Sequence, residues 1–339
     1  MESNRSLPRI SIIINSYSDI YKLQSCVAAV KKSTYNNREI IVVSYGISKN
    51  DIKETGISFN VDKLILVKKD VGPPAQRNVG FKAKDPSSKY VLFIDDDVIL
   101  NELTLINLVR VMEDFPNIGL AQPLLITPDQ LIDCAGAFID LLGYSYMPFH
   151  GEPMSSLKTK ADFFKVSYGA GACLLLRADI FRAGEIFQPF DASFYFNYED
   201  VDLSLRIWKK GFIVVCVPSA TAVHNRGRTS KLKKSPAHLV YLNTRNKFMT
   251  LASLSDIITL PLFILFECIK AIYLLKVNPA HSFATFGAIL WISQNLKKVY
   301  IRRKILKEKV NEDHTLSAVI LKPHFPTLIS DFRRHYDLK

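Results

Sequence analysis

The chain has 339 residues, is 48% hydrophobic and carries a net charge of +12. That is enough apolar material for a sizeable core and for more than one domain. The five cysteines (Cys26, Cys134, Cys173, Cys216 and Cys268) are scattered and form no CxxC pair, which argues against a disulfide framework and for free thiols in a reducing compartment.

No apolar leader opens the chain, so no signal peptide is expected. The charge is unevenly placed. From Arg226 onward there are 20 Lys and Arg against 7 Asp and Glu, whereas the first 225 residues hold 24 against 25. A solvated surface is the plain explanation of a charge run. Confinement to one region points instead to an anionic membrane surface or a nucleic acid.

In chain order, "RISIIINSY" (residues 9–17) is a short β-branched strand, and "DIYKLQSCVAAVKKST" has helical spacing through Ile20, Leu23, Val27 and Val30. "REIIVVSYG" and "DKLILVKK" are the second and third strands. "PPAQRNVGFKAK" opens as a helix, with proline first. "KYVLFIDDD" is the fourth strand. Strands alternating with helices predict a mostly parallel sheet with helices on both faces, whose ligands bind at the carboxyl ends of the strands. From about residue 120 the runs shorten. Residues 200–210 have helical periodicity and stop at Gly211; residues 212–217 read as a strand, with His224 just beyond it. A polar, basic and mobile linker, "RGRTSKLKKSPAH", comes next. Two apolar segments (257–275 and 283–292) and a basic helix, "NLKKVYIRRKILKEKV", complete the pattern.

Asp95, Asp96 and Asp97 follow the fourth strand. Clustered carboxylates there can hold a hard divalent cation, supply an acid or base, or form a solvated turn. In extended chain Asp95 and Asp97 share one side and Asp96 takes the other. Glu199 and Asp200 precede a helix; capping is the plain explanation of Asp200. His224 is a structural histidine or a metal ligand.

Together, "SIIINSY", "EIIVV", "GPPAQRNVG", "FIDDDV", "GAGACLLLRADIF", "FNYEDVDLSLRIWKKGF" and "VPSATAVHN" resemble an inverting nucleotide-sugar glycosyltransferase of family 2 with the GT-A fold, closest to the rhamnosyl- and galactofuranosyl-transferase branch. The resemblance covers about residues 8–250. It implies a Rossmann-like mixed, mostly parallel sheet flanked by helices, with a nucleotide-sugar half (about 1–100) and an acceptor half (about 101–226). Residues 227–339 would then form a helical membrane-associated region. Asp95 and Asp97 are similar to the metal-binding DxD motif, for Mg²⁺ or Mn²⁺ on the donor diphosphate, with His224 completing the shell. Asp96 would face the sugar or its ribose. Asp200 matches the general base and Glu199 a positioning group. Arg77 and Asn78 would line the nucleotide site, and Gly169, Ala170 and Gly171 would form a strand that substrate approaches. The family's acidic base-reading residue after the second strand is missing: Ser44 and Tyr45 stand there, so Asp70 could take over, with Tyr17 stacking on the base.

The donor implied is a UDP-, dTDP- or GDP-sugar, and the acceptor a lipid-linked or cell-surface glycan. Residues 257–275 are interrupted by Pro261, and Glu267 and Lys270, three apart on one face, make a narrow polar stripe that fits an interfacial helix, a hairpin dipping into the membrane, or a buried core helix. With the adjoining cluster Lys297, Lys298, Arg302, Arg303, Lys304, Lys307 and Lys309, this predicts peripheral or monotopic attachment at the cytoplasmic face of the cell membrane. An inactive sugar-binding relative is the alternative. A nucleic-acid-binding protein is disfavoured, because no such motif is present. The sugar, linkage, metal preference and oligomeric state are not legible.

Overall fold

A computed structural model describes residues 7–56, 58–181, 188–226, 235–254, 259–308, 316, 320 and 321. The first half alternates β1 (Ile10–Tyr17), α1 (Ile20–Lys32), β2 (Arg38–Tyr45), α2 (Lys49–Thr55), β3 (Lys63–Val67), α3 (Gly72–Ala83) and β4 (Tyr90–Asp95), as the sequence predicts except for the short α2, which was not expected. Then follow β5 (Val98–Leu100), α4 (Thr104–Asp114), β6 (Ile118–Ile126), β7 (Ile132–Cys134), β8 (Phe138–Asp140), β9 (Ser145–Tyr146), β10 (Phe164–Lys165) and β11 (Cys173–Arg177). The remainder is α5 (Glu199–Lys209), β12 (Ile213–His224), α6 (Pro236–Leu254), α7 (Thr259–Val277), α8 (Pro279–Gln294), α9 (Leu296–Glu308) and β13 (Ile320–Leu321).

The main sheet runs β10-β12-β6-β11-β4-β1-β2-β3. β3, β2, β1 and β4 are mutually parallel, and β11 lies antiparallel between β4 and β6, so the sheet is mixed. The chain moves outward from β1 to β3 and then crosses to β4 on the other side of β1. That reversal opens a crevice at the carboxyl ends of β1 and β4. The register places Asn15 beside Asp95 and Tyr17 beside Tyr45 at this edge. β1 and β2 are buried on both faces, which is why their sequences read as continuous β-branched runs.

β12 is longer than predicted. Its register against β6 shifts between Val217 and Thr221, and the part beyond the shift pairs with β5 as well as β6. His224 therefore ends the strand, opposite Val98 and next to Asp97.

The core does not stop at residue 226, where the domain boundary was expected. Tyr198, Val201 and Leu205 share one apolar cluster with Phe248, Met249, Phe263, Ile292, Val299 and Leu306. β13 also pairs in parallel with β8. Helix α6 was not anticipated: Thr244, Asn246, Lys247, Thr250 and Ser253 are buried among its apolar residues, so no amphipathic stripe marks it. Pro236, Ala237 and His238, expected in the basic linker, open this helix, and residues 227–234 lie outside the described residues. The apolar segments form α7 and α8, with residues 257 and 258 outside the description. Among the described residues, no helix is long and apolar enough to cross a membrane.

Candidate active site

Three consecutive aspartates meet three different partners, because β4 ends at Asp95 and the chain turns through Asp96 and Asp97 before β5. The extended alternation expected for Asp95 to Asp97 therefore does not occur. Asp95 accepts a hydrogen bond from Arg77 Nη2 at 2.8 Å. Asp96 accepts from Ser16 Oγ at 2.7 Å and from the Tyr17 amide at 3.2 Å. Asp97 Oδ1 lies 3.5 Å from His224 Nε2. Burial pushes Asp96 up to about 7, with Asp97 and Asp95 adding to the rise.

Arg77 is the hub. It is buried, and from α3 it donates to Asp95, to Glu199 Oε1 at 3.0 Å and to the Gly171 carbonyl at 3.1 Å. Its guanidinium also sits over the Phe190 ring. Burial opposes its charge, but Asp95 and Glu199 outweigh that and hold its pKa above the ordinary range. Asn78, expected to line the nucleotide site, is buried and engaged within the protein. Its carboxamide clamps the main chain of Phe190, donating to the carbonyl at 2.6 Å and accepting from the amide at 3.1 Å.

Glu199 and Asp200 open α5 after Tyr198, which holds a left-handed φ of 73° and offers no side-chain cap. Asp200 accepts from the Gly171 amide at 2.9 Å and from the Val201 amide at 2.8 Å. It thus joins the β11 approach to the helix start, going beyond a simple cap. Gly169 and Ala170 lie in irregular chain and Gly171 starts a turn into β11, so the three do not form a strand. A Cβ on Gly171 would sit 3.4 Å from the Asp200 carboxylate and 3.5 Å from the Arg77 guanidinium, so glycine keeps that gap open. Burial raises Glu199 to about 7, with Arg77 opposing and Asp200 reinforcing the rise. Burial also raises Asp200, against its backbone hydrogen bonds. Glu199 Oε2 is buried with no hydrogen-bond partner.

His224 turns its other nitrogen to Asp133, with Nδ1 2.8 Å from Oδ2, and Arg226 donates to the same carboxylate. Asp133 was missed by sequence reasoning. It lies in β7, which pairs with β6 as β12 does, and this shared partner brings it to His224; no local pattern announces that. Burial opposes a charge on His224, but the hydrogen bonds to Asp133 and Asp97 outweigh it and hold the pKa up at about 9. Among the described residues no group of three His, Cys, Asp or Glu is arranged to hold a metal ion, and of Asp95, Asp97 and His224 only Asp97 and His224 face each other as a pair. Asp95 belongs to Arg77. Asp97 with His224 is the pair whose oxygen and nitrogen suit Mn²⁺ or Mg²⁺, and the Asp133 carboxylate on Nδ1 is the arrangement that aims Nε2 at a cation.

Tyr17 and Tyr45 pack with ring centroids 5.2 Å apart. Beside them Asp70 accepts from Tyr17 at 3.4 Å and from Tyr195 at 2.6 Å. Tyr195 was also not anticipated, although it stands in the aromatic run before Glu199. Its φ of 61° is an uncommon backbone state for a tyrosine. Ser44, at the position of the missing acidic residue, is buried in β2.

A family model described as "Glycosyltransferase like family 2" matches residues 8–246. The O-antigen biosynthesis protein RfbC of Myxococcus xanthus is 23% identical over 239 residues, which is 68% of this chain and 18% of that protein. The N-acetylglucosaminyl-diphospho-decaprenol L-rhamnosyltransferase of Mycobacterium tuberculosis is 32% identical over 87 residues, 26% of this chain and 27% of that enzyme. The chain therefore spans well under half the length of these relatives. A crystal structure of GalNAc-T7 with UDP, GalNAc and Mn²⁺ superposes with a TM-score of 0.62 at 16% identity, covering 99% of this chain and 59% of that one; it shares the GT-A fold.

Proposed function

Because the chain belongs to the glycosyltransferase-like family 2, we propose that it transfers a sugar, with inversion, from a nucleoside-diphosphate donor to a hydroxyl of a lipid-linked or cell-surface glycan. One observation carries the reading: Arg77 bridges Asp95, at the donor end of β4, to Glu199, beside Asp200. That bridge supports a reading in which the donor-end and base carboxylates serve one crevice.

Asp200 is the general base. Its carboxylate is held in place by the Gly171 and Val201 amides, each carboxylate oxygen keeps a further lone pair, and burial raises its affinity for a proton. It takes the proton of the acceptor hydroxyl as that oxygen attacks the anomeric carbon and the carbon–oxygen bond to the diphosphate breaks. Glu199 and Arg77 position this pair. Asp97 and His224 would hold Mg²⁺ or Mn²⁺, which when bound stabilises negative charge on the departing diphosphate. Tyr17, Tyr45 and Asp70 receive the nucleobase, with Asp70 accepting from a ring N–H in place of the acidic residue missing at Ser44. Asp96, held by Ser16 and the Tyr17 amide beside this group, is placed toward the ribose.

The test is a mass-spectrometric screen of UDP-, dTDP- and GDP-sugars with Mn²⁺ or Mg²⁺ and a polyprenyl-diphosphate-linked sugar as acceptor. One donor giving glycosylated acceptor supports the reading. Donor binding without turnover across the panel would make the chain a sugar-binding relative.

A further inference from the structure

Helix α7 buries its charges beside Phe263, Ala271 and Leu274 and leaves a row of apolar side chains facing outward. Its only two acidic or basic residues before Lys276, Glu267 and Lys270, face inward. Glu267 is 0% exposed and pairs with Lys270, with Lys247 of α6 at 3.2 Å, and with the Tyr144 hydroxyl at 3.2 Å. Burial favours a neutral carboxyl, but Lys247 and Lys270 outweigh it and hold Glu267 down at about 2. Lys247 also lies 3.7 Å from the Tyr144 ring centroid.

The opposite face carries Leu262, Leu265, Ile269 and Ile272 at helical spacing. Helix α8 packs on α7, with Ser282 Oγ donating to the Ala271 carbonyl at 2.7 Å, and extends the face with Phe283 and Leu290. Leu265 is 57% exposed, Ile272 60% and Phe283 67%. A helix on a water-facing surface does the reverse, giving its apolar stripe to the core and its charges to solvent. Contiguous apolar patches beyond roughly a few hundred Å² on soluble proteins mark contact surfaces.

Helix α9 supplies the complementary charge. Arg302, expected in a lipid-facing cluster, is instead buried against Asp191 and Asp202, and Arg303 donates to the Ala252 carbonyl; Lys309 lies outside the described residues. What stays exposed is Lys297, Lys298, Lys304 and Lys307 among Leu296, Tyr300 and Ile301. Helix α9 follows α8 after Asn295 alone, and lysines mixed with apolar side chains match an interface where acyl chains meet anionic headgroups.

We propose that the outer face of α7 and α8, rimmed by the lysines of α9, seats this protein in the plane of an anionic lipid leaflet. The inward ion cluster keeps charge out of the lipid while fastening α7 to α6. This extends the lipid-linked part of the functional reading. It rests on the helix faces alone and is tested by binding instead of turnover, so either can fail without the other.

The experiment sediments the full chain with phosphatidylglycerol–phosphatidylcholine vesicles and with phosphatidylcholine vesicles. Anionic vesicles should bind it more tightly. Lys297→Gln and Lys298→Gln should each weaken that binding about fivefold. The triple variant Leu265→Gln, Ile269→Gln, Ile272→Gln should weaken it about a hundredfold. A triple variant that binds like the wild type overturns the proposal. So does a wild type that ignores vesicles and runs as a dimer that the triple variant splits, which would make the face a self-contact. Should the triple variant fail to fold, Phe283→Trp decides: acyl-brominated lipids should quench its added fluorescence, and absence of that quenching overturns the proposal.

Discussion

His224 Nδ1 stands 2.8 Å from Asp133 Oδ2, across 91 residues of chain, while Nε2 of the same ring faces Asp97. An orienting carboxylate of this kind fixes which nitrogen can meet a cation. Asp97→Ala or His224→Ala should therefore abolish Mn²⁺ binding in the presence of the nucleoside diphosphate. Asp133→Asn should weaken it by about 10- to 100-fold. Titration calorimetry measures all three. An Asp133→Asn protein with unchanged affinity would reduce that residue to a scaffold contact.

The base assignment separates rate from binding. Asp200→Asn should lower transfer by about 10²–10⁴-fold and leave donor affinity near normal. Glu199→Gln should be milder, since Arg77 keeps Asp95 and Gly171 as partners. Single-turnover rates beside donor dissociation constants make the comparison. If Glu199→Gln alone were inactive, the base would be Glu199, whose Oε2 has no hydrogen-bond partner.

The same pair sets a pH dependence. Burial raises both carboxyls, Glu199 to about 7, with Arg77 on α3 opposing and the mutual charge reinforcing. A raised carboxyl keeps its proton to higher pH, and a base must be ionised to act. The transfer rate should thus fall toward acid pH, with its midpoint above the ordinary aspartate range, and the fall should move in Glu199→Gln. A flat profile of rate at saturating donor between pH 5.5 and 8 would contradict this.

Arg302 fastens α9 to the catalytic half, donating to Asp191 at 2.9 Å and to Asp202 at 2.5 Å from a buried position. Arg302→Met leaves two buried carboxylates short of a partner and should reduce stability by about 3–5 kcal/mol. Urea unfolding followed by circular dichroism reads the shift in midpoint. Lys297→Ala, on the exposed side of the same helix, should leave the midpoint in place.

Asp70 reads the donor if Tyr17 and Tyr45 receive its base. Asp70→Asn should then raise the donor KM about tenfold, as loss of a charged hydrogen-bond acceptor does, with little change in kcat. Tyr195→Phe removes a hydroxyl from the same carboxylate and should alter the KM ratio between UDP- and GDP-sugars. Unchanged ratios would exclude Tyr195 from donor selection.

Local pattern was enough for much of this protein. β1, β2 and β4 are buried on both faces and the edge strand β3 is still apolar, so each was visible as an apolar run, and the spacing between them accommodates crossover helices; that alone pointed to a parallel half-sheet with carboxylates at its open end. α5 was visible because its apolar side packs on the sheet and its end is marked by Gly211. What local pattern could not carry was any pairing set by long-range register. Asp133 meets His224 only because β7 pairs with β6 and β12 shifts its register beyond Val217. Asp95 meets Glu199 only through Arg77, which is joined to each by a different nitrogen. α6 is buried nearly all round over its second half, and a helix without a polar face leaves no periodic signal. The polar stripe of α7 was legible, but its direction was not. Spacing says which residues share a face, and only packing against α6 and Tyr144 decides that Glu267 and Lys270 face the protein.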